Sequence, residues 1–204
     1  MAESEQVARP PFSVRPLKAA DLDAVVKLHR AALGYSINCR LGSAHLSYLY
    51  SILRQDETCL ATVAVSAGEV LGVVSAALDP EEFKRRLFAG LSFRRWAGLA
   101  GRLALHPGAW LEWYRSRPLE RPVLFAGAEV RPCLTAIAVS PAARRTGVGR
   151  ALVEAVDDFV RRHALCLYHL DTRANNSTSR AFYTRLGFLE LEQRGRDVIF
   201  VRKL

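Results

Sequence analysis

The chain has 204 residues, 50% hydrophobic and 24% charged, which is enough for one domain with a full core and too apolar for a disordered chain. No apolar run approaches the ~18 residues that span a bilayer, and the polar start, MAESEQVARPPF, lacks the basic-then-apolar order of a signal peptide. The net charge of +9 is spread along the chain without a recognition motif or an aromatic stacking platform, so no nucleic-acid partner is expected, and an anionic ligand or an Arg-rich proteome explains the charge as well.

Residues 1–11 read as a flexible lead, and 12–17 as a short strand. Asp21 is placed to cap a helix over LDAVVKLHRAAL that Gly34 ends, and Ser43 to cap a second helix through Leu53. CLATVAVS (59–66) and EVLGVVSAAL (69–78) are β-rich runs joined by a tight turn at Ala67 and Gly68. Residues 80–121 break this pattern. They begin with the helix-starting pair Asp79-Pro80, and apolar residues recur at helical spacing at Phe83, Leu87, Leu91, then Trp96, Leu99 and Leu103. After a break at His106-Pro107-Gly108 comes a second short helix, AWLEWYR, so the segment reads as a helical insertion after the third strand. Residues 123–130 read as an extra strand and 133–140 as a buried strand with near-continuous apolar character. A loop (141–146), a long amphipathic helix (147–163), a strand (166–172), a helix (177–186) and a terminal hairpin turning at Gly195-Arg196 complete the chain. The expectation is a single α/β domain over 1–204 with a mixed central sheet flanked by helices.

The four cysteines, Cys39, Cys59, Cys133 and Cys166, form no CxxC pair, so they read as buried free thiols of a reducing, cytoplasmic compartment, and no metal site is expected. The chemistry concentrates further on. Arg144-Arg145-Thr146-Gly147-Val148-Gly149 lies between an apolar strand and a long helix. Such a junction offers unpaired backbone N–H groups and the positive end of a helix dipole to phosphate oxygens. Glycines there let the main chain come close, and Arg144, Arg145 and Arg150 add positive charge. The segment is not a P-loop, because no Lys follows the glycines, and it lacks the third Gly of a dinucleotide fingerprint.

A second motif, NNSTSRAFYTRLGF, starts at Asn175, 26 residues after Gly149, and in it Asn176, Ser179 and Tyr183 fall at steps of three and four and Gly187-Phe188 follows. Together the two motifs resemble the acetyl-CoA-binding core of the GNAT N-acetyltransferase superfamily. The resemblance implies that Arg144, Arg145, Thr146, Gly147, Val148, Gly149 and Arg150 hold the pyrophosphate of acetyl-CoA. Asn176 and Ser179 would meet the pantetheine region, and the main chain of Ile137, Ala138 and Val139 would pair with the pantetheine amides like an added strand. Tyr183 would be the general acid for the departing thiolate, the phenol (pKa about 10) suiting a thiol near 8–9.

The chain departs from the family at the base. Where many relatives carry a Glu, this sequence has Cys133. Glu129 is the first candidate instead, with His169 and Asp171 behind it, a Cys133 thiolate remote, and a water relay as the alternative. By the same resemblance Tyr35, Asn38 and Arg40 would line the acceptor pocket. The reading is an N-acetyltransferase for a small primary amine, an amino sugar among them. Protein N-terminal or lysine acetylation, and a catalytically inactive acyl-CoA sensor, stay open. The insertion suits domain packing or a homodimer contact, a lid, or a membrane-surface helix, without an integral span.

Overall fold

The computed structural model describes residues 11–91, 97, 98, 101 and 121–204. The lead before Pro11 and the insertion's second helix lie outside these residues. The order is β1 (Ser13–Pro16), α1 (Leu22–Ala32), α2 (Ile37–Arg40), α3 (Ser43–Leu53), β2 (Cys59–Ser66), β3 (Glu69–Ala77), α4 (Pro80–Ala89), β4 (Leu124–Phe125), β5 (Ala128–Glu129), β6 (Cys133–Val139), α5 (Val148–Arg162), β7 (Leu167–Arg173), α6 (Ser177–Arg185), β8 (Leu189–Arg194) and β9 (Asp197–Lys203). Seven strands form one sheet in the order β1-β2-β3-β6-β7-β9-β8, and β4-β5 pair separately. All neighbours are antiparallel except β6 and β7. This is the mixed, mostly antiparallel α/β sheet flanked by helices that the sequence implies.

Each face of the sheet carries its own core. On one face the α5 stripe Val148, Leu152, Val156 and Phe159 packs on Val74, Ala76, Leu134 and Leu170, with Tyr183 and Phe188 at the same cluster. On the other, Val25 and Val26 of α1 and Leu46, Leu49 and Tyr50 of α3 cover Val63, Val73 and Ala138, and Phe83 and Leu87 of α4 join them. Gly72 lets α5 press onto β3, since a Cβ there would stand 2.8 Å from Leu152 and 3.0 Å from Val148.

Several local expectations are corrected. Asp21 precedes α1, but its carboxylate turns back to accept from Arg15 at 2.6 and 2.8 Å and from the Lys18 N–H at 2.8 Å, so it ties the chain to β1 and does not cap the helix. Ser43 is the first residue of α3, behind Gly42 at φ 94°, and its hydroxyl accepts from Arg30. The short α2, capped by Ser36, is an addition to the sequence reading. Residues 123–130 make a two-stranded hairpin instead of one strand, because Ala126 and Gly127 turn with φ of 51° and 82°. Cys39, Cys59 and Cys133 are buried free thiols as expected, while Cys166 is exposed. Asp79 does cap α4, accepting from the N–H groups of Glu81 and Glu82 at 3.1 and 3.0 Å.

One buried polar knot fixes α6 against the sheet. The Asp157 carboxylate of α5 accepts from the Tyr168 hydroxyl at 2.7 Å and from Arg202 of β9 at 2.8 and 2.6 Å. Arg202 also donates to the Leu186 carbonyl at the end of α6 and lies over the Phe188 ring. Arg202→Met leaves that carboxylate buried without its cation, which is expected to destabilise the fold by about 3–5 kcal/mol. For a chain of this size the melting temperature falls by on the order of 10 °C. A fall of less than about 2 °C in a thermal melt would show that Tyr168 alone satisfies Asp157.

Candidate active site

β6 and β7 pair at a single position, Cys133 with His169, strengthened by the His169 N–H to the Pro132 carbonyl at 2.9 Å. Beyond it β6 continues on β3 as far as Val139 while β7 continues on β9 as far as Arg173. The β7-facing edge of β6 from Leu134 to Val139 therefore has no strand partner, and the sheet parts there. Ile137, Ala138 and Val139 lie on that open edge. Sheets rarely leave so central an edge unpaired, and an extended ligand is one way to occupy it.

The loop after β6 leads into the N-terminus of α5. Thr146 anchors it through a 2.7 Å bond to the Ala143 carbonyl. Arg145 and Gly147 both take left-handed conformations, at φ 64° and 97°. No side chain caps α5 and no acidic residue stands in its first turn, so the first N–H groups are left for a ligand. Arg144, Arg145 and Arg150 are exposed and make no ion pair among the described residues. This donor set fits a pyrophosphate. The two glycines serve different ends. A Cβ at Gly147 would meet nothing, so Gly147 is there for its backbone, whereas a Cβ at Gly149 would stand 3.2 Å from Phe182, so Gly149 lets α5 and α6 approach.

α6 begins at Asn176, whose side-chain oxygen caps the helix by accepting from the Ser179 N–H at 3.1 Å. Asn176 thus stands at the cap and Ser179 and Tyr183 in the helix body. Tyr183 is 5% exposed and wedged among Phe182, Phe188 and Phe200. Its hydroxyl has no hydrogen-bond partner among the described residues, and it is not one of their sealed, unpaired polar atoms, which are His29 Nε2, His45 Nδ1 and His169 Nδ1. Burial, together with the nearby Asp171, Tyr35 and Cys133, pushes the phenol's pKa up, so it stays protonated.

The same set of influences shows what lies across from Tyr183. On β7 the residues Tyr168, Leu170 and Thr172 are buried, so the alternation turns His169, Asp171 and Arg173 to the other face. Asp171 is open to water yet deep among protein atoms, as the floor of a cleft is. Loss of bulk hydration and the Asp197 carboxylate push its pKa up to about 6, and Arg173 and Lys84 offset part of that. Arg173 is ion-paired with Asp197 at 3.5 Å and its guanidinium lies 5.0 Å from the centre of the Tyr35 ring. Tyr35 thereby joins Asp171, Arg173, Asp197 and Tyr183 in one cluster. Asn38 instead bonds His45 at 3.2 Å, and Arg40 is exposed at the end of α2.

Glu129 sits in the small β4-β5 hairpin, exposed and 3.3 Å from Arg131, which also reaches Asp79 at 3.2 Å. Burial drives the Cys133 thiol far up and lowers His169 to about 4, so at neutral pH the first holds its proton and the second is uncharged. Arg173 and Asp197 were not picked out by sequence reasoning. Their only signal was a charged residue at each end of an apolar strand pair, which the register Arg173 with Asp197 joins. Among the described residues no group of three or more His, Cys, Asp or Glu is placed to hold a metal ion, and no helix is long and apolar enough to cross a membrane.

Solved structures share this architecture. PaiA N-acetyltransferase from Thermoplasma acidophilum, in complex with coenzyme A, superposes with a TM-score of 0.62 at 12% identity, over 95% of this chain and 99% of that one. The aminoglycoside antibiotic 6'-N-acetyltransferase AAC(6')-Ih from Acinetobacter baumannii gives 0.58 at 17%, over 90% and 94%. The ribosomal-protein-S18-alanine N-acetyltransferase from Escherichia coli gives 0.55 at 17%, over 95% and 93%. At these identities the likeness is one of fold. No curated protein matches the chain in sequence. The family model described as Acetyltransferase (GNAT) family matches residues 25–188, which takes in most of α1, the parted strands, the α5 loop and α6, and the chain therefore belongs to the GNAT family of acetyltransferases.

Proposed function

We propose that the protein transfers an acetyl group from acetyl-CoA to a small primary amine by direct attack within a ternary complex. The observation that carries this reading is the parting of β6 and β7 after one residue pair, which leaves the β6 edge from Leu134 to Val139 without a strand partner just before the loop into the uncapped α5 N-terminus. The Gly147 backbone and the first N–H groups of α5, with Arg144, Arg145, Thr146 and Arg150 around them, take the pyrophosphate. The open edge at Ile137, Ala138 and Val139 takes the pantetheine amides, and the Asn176 and Ser179 side chains stand beside that path. Acetyl-CoA supplies a thioester carbonyl and a thiol leaving group. Tyr183, kept protonated by its apolar surroundings, gives its proton to the sulfur. Tyr35, at the mouth of the cluster, faces the acceptor, and the carboxylates of Asp171 and Asp197 behind it favour an amine over an acid or a neutral alcohol.

A thermal-shift titration tests the cofactor half. A ligand of the native state at about 100 times its Kd adds about 2.7 kcal/mol. For a chain of this size that raises the melting temperature by roughly 5–10 °C. CoA and acetyl-CoA are both expected to do so, and thiol release with an amine then tests transfer. No shift at millimolar ligand would remove the acyl-CoA reading altogether.

A further inference from the structure

We propose that Asp171 is the general base of the reaction, taking its proton from an alkylammonium acceptor seated on the cleft floor opposite Tyr183. The inference rests on the acetyltransferase reading above and adds to it a base and the charge of the acceptor.

Three observations meet at this residue. The first is position. Asp171 lies two residues beyond His169, where β6 has already left β7, so no strand covers its side. The second is its freedom. In a chain of net charge +9, Asp171 makes no salt bridge and no side-chain hydrogen bond among the described residues. Among the described residues the two cations that act on Asp171 are each engaged by another carboxylate, Arg173 by Asp197 at 3.5 Å and Lys84 by Glu81 at 2.8 Å. The third is its counterpart. The Tyr183 side chain is more than nine-tenths buried, its hydroxyl lacks a partner among the described residues, and Asp171 is one of the charged groups that act on it. Among the described residues a carboxylate and a phenol without hydrogen-bond partners thus act on one another, the first deprotonated and the second protonated at neutral pH.

Among the described residues the charged and titratable groups around Asp171 are Asp197 from β9, Arg173 on β7, Lys84 from α4, Cys133 from β6, Tyr183 from α6 and Tyr35 before α2. A cation arriving between Asp171 and Asp197 removes their mutual repulsion, so the site selects an ammonium before it deprotonates one. The proton balance closes. One ammonium N–H breaks and its proton goes to the Asp171 carboxylate. The freed lone pair forms the N–C bond to the acetyl carbon, the C–S bond breaks with its electrons on sulfur, and sulfur takes the Tyr183 proton. A second amine proton leaves as the amide forms and restores the Tyr183 phenol through water, and Asp171 releases its proton to solvent. Glu129 is worse placed, exposed in the β4-β5 hairpin against Arg131.

The test uses the full chain with acetyl-CoA and the fastest of four probe amines, spermidine, tyramine, kanamycin A and glycinamide, followed by thiol release from about pH 5 to about pH 9. The base must be ionised to act, so wild-type kcat/KM should rise with pH through about 6 and be lost below it. D171N is expected to lower kcat about 10²-fold, to erase that limb, and to leave the CoA-induced rise in melting temperature in place. Carboxyl-carbon NMR should show one aspartate titrating near 6 in the wild type and none there in D171N. A D171N enzyme that keeps its limb and its turnover within about twofold, or a wild type without such a carboxyl, would overturn the proposal. So would a limb that disappears in E129Q and not in D171N. A wild type without a CoA shift, or without thiol release for any probe, overturns the acetyltransferase reading and the base with it. That failure is recognisable because it precedes any substitution at Asp171.

Discussion

Tyr183→Phe is expected to lower kcat by about 10²–10³-fold while leaving CoA affinity unchanged within about twofold. The asymmetry follows from the packing. The Tyr183 ring sits edge-on to Phe182 and Phe188, with centroids 5.2 and 5.3 Å away, and tilted to Phe200 at 5.8 Å, and a phenylalanine keeps every one of these contacts. The hydroxyl bonds nothing among the described residues, so its loss strands no buried partner and the fold stands. What is lost is the proton. Burial and the Asp171 carboxylate hold the phenol's pKa above its ordinary value. In free solution such a phenol would be a poor donor to a thiolate, but the same apolar surroundings also raise the basicity of the sulfur, because desolvation disfavours either anion. The transfer is therefore matched only while the bond to sulfur is breaking, which is where an effect on kcat alone comes from. Single-turnover thiol release, beside calorimetry with CoA, reads the two quantities separately. Equal turnover in the two proteins would remove Tyr183 from the chemistry and leave it a core residue.

The long, strongly patterned pieces of the fold were legible because local and global demands agree in them. The α5 stripe at Val148, Leu152, Val156 and Phe159 is apolar at helical spacing, and it is the stripe that covers the sheet. The β2-β3 hairpin was legible because Ala67-Gly68 must take left-handed backbone and Gly signals it. Ala126-Gly127 makes the same kind of turn, yet residues 123–130 read as one strand, because two-residue strands leave no alternation to detect. Asp21 carried the residue type of a cap, but a better partner, Arg15, comes from β1 and wins its carboxylate. The glycine pattern announced the tight loop into α5, while the separate reasons for Gly147 and Gly149 depend on α6, which is distant in sequence.

The carboxylate proposed as the base is the hardest part to read from sequence, and the reason is geometric. Glu129 was favoured for its nearness in sequence to Cys133. Alternation along LYHLDTR does place Asp171 on the face away from α5, but nothing local says that β6 departs after Cys133 and uncovers that face. Burial and Asp197 of β9 raise the Asp171 pKa while Arg173 of β7 and Lys84 of α4 offset part of that, and a single sequence does not display such long-range company.

Gly147→Glu is expected to weaken CoA binding by about 10²–10³-fold with little change in stability. The two halves come from one helix end. A carboxylate at the N-terminus of α5 is favourable for the helix dipole by about 0.3–1 kcal/mol, which offsets a similar part of the strain of placing an L-residue at the φ of 97° that Gly147 adopts. The Cβ meets no neighbour, so the core is untouched. Toward a pyrophosphate the same charge is repulsive. Two unit charges about 5 Å apart at an effective dielectric of 20 repel by about 3 kcal/mol, which is already more than 10²-fold in affinity. Gly147→Ala separates backbone from charge. It carries the strain without the carboxylate and should lose no more than about tenfold, since the α5 N–H groups and the exposed Arg144, Arg145 and Arg150 remain. Calorimetry with CoA in low salt compares the three proteins, and rising salt should narrow the gap between the Glu and Ala variants, because screening weakens exposed charges at this range. Unchanged affinity in the Glu variant would place the phosphates elsewhere and free the α5 N-terminus of its role.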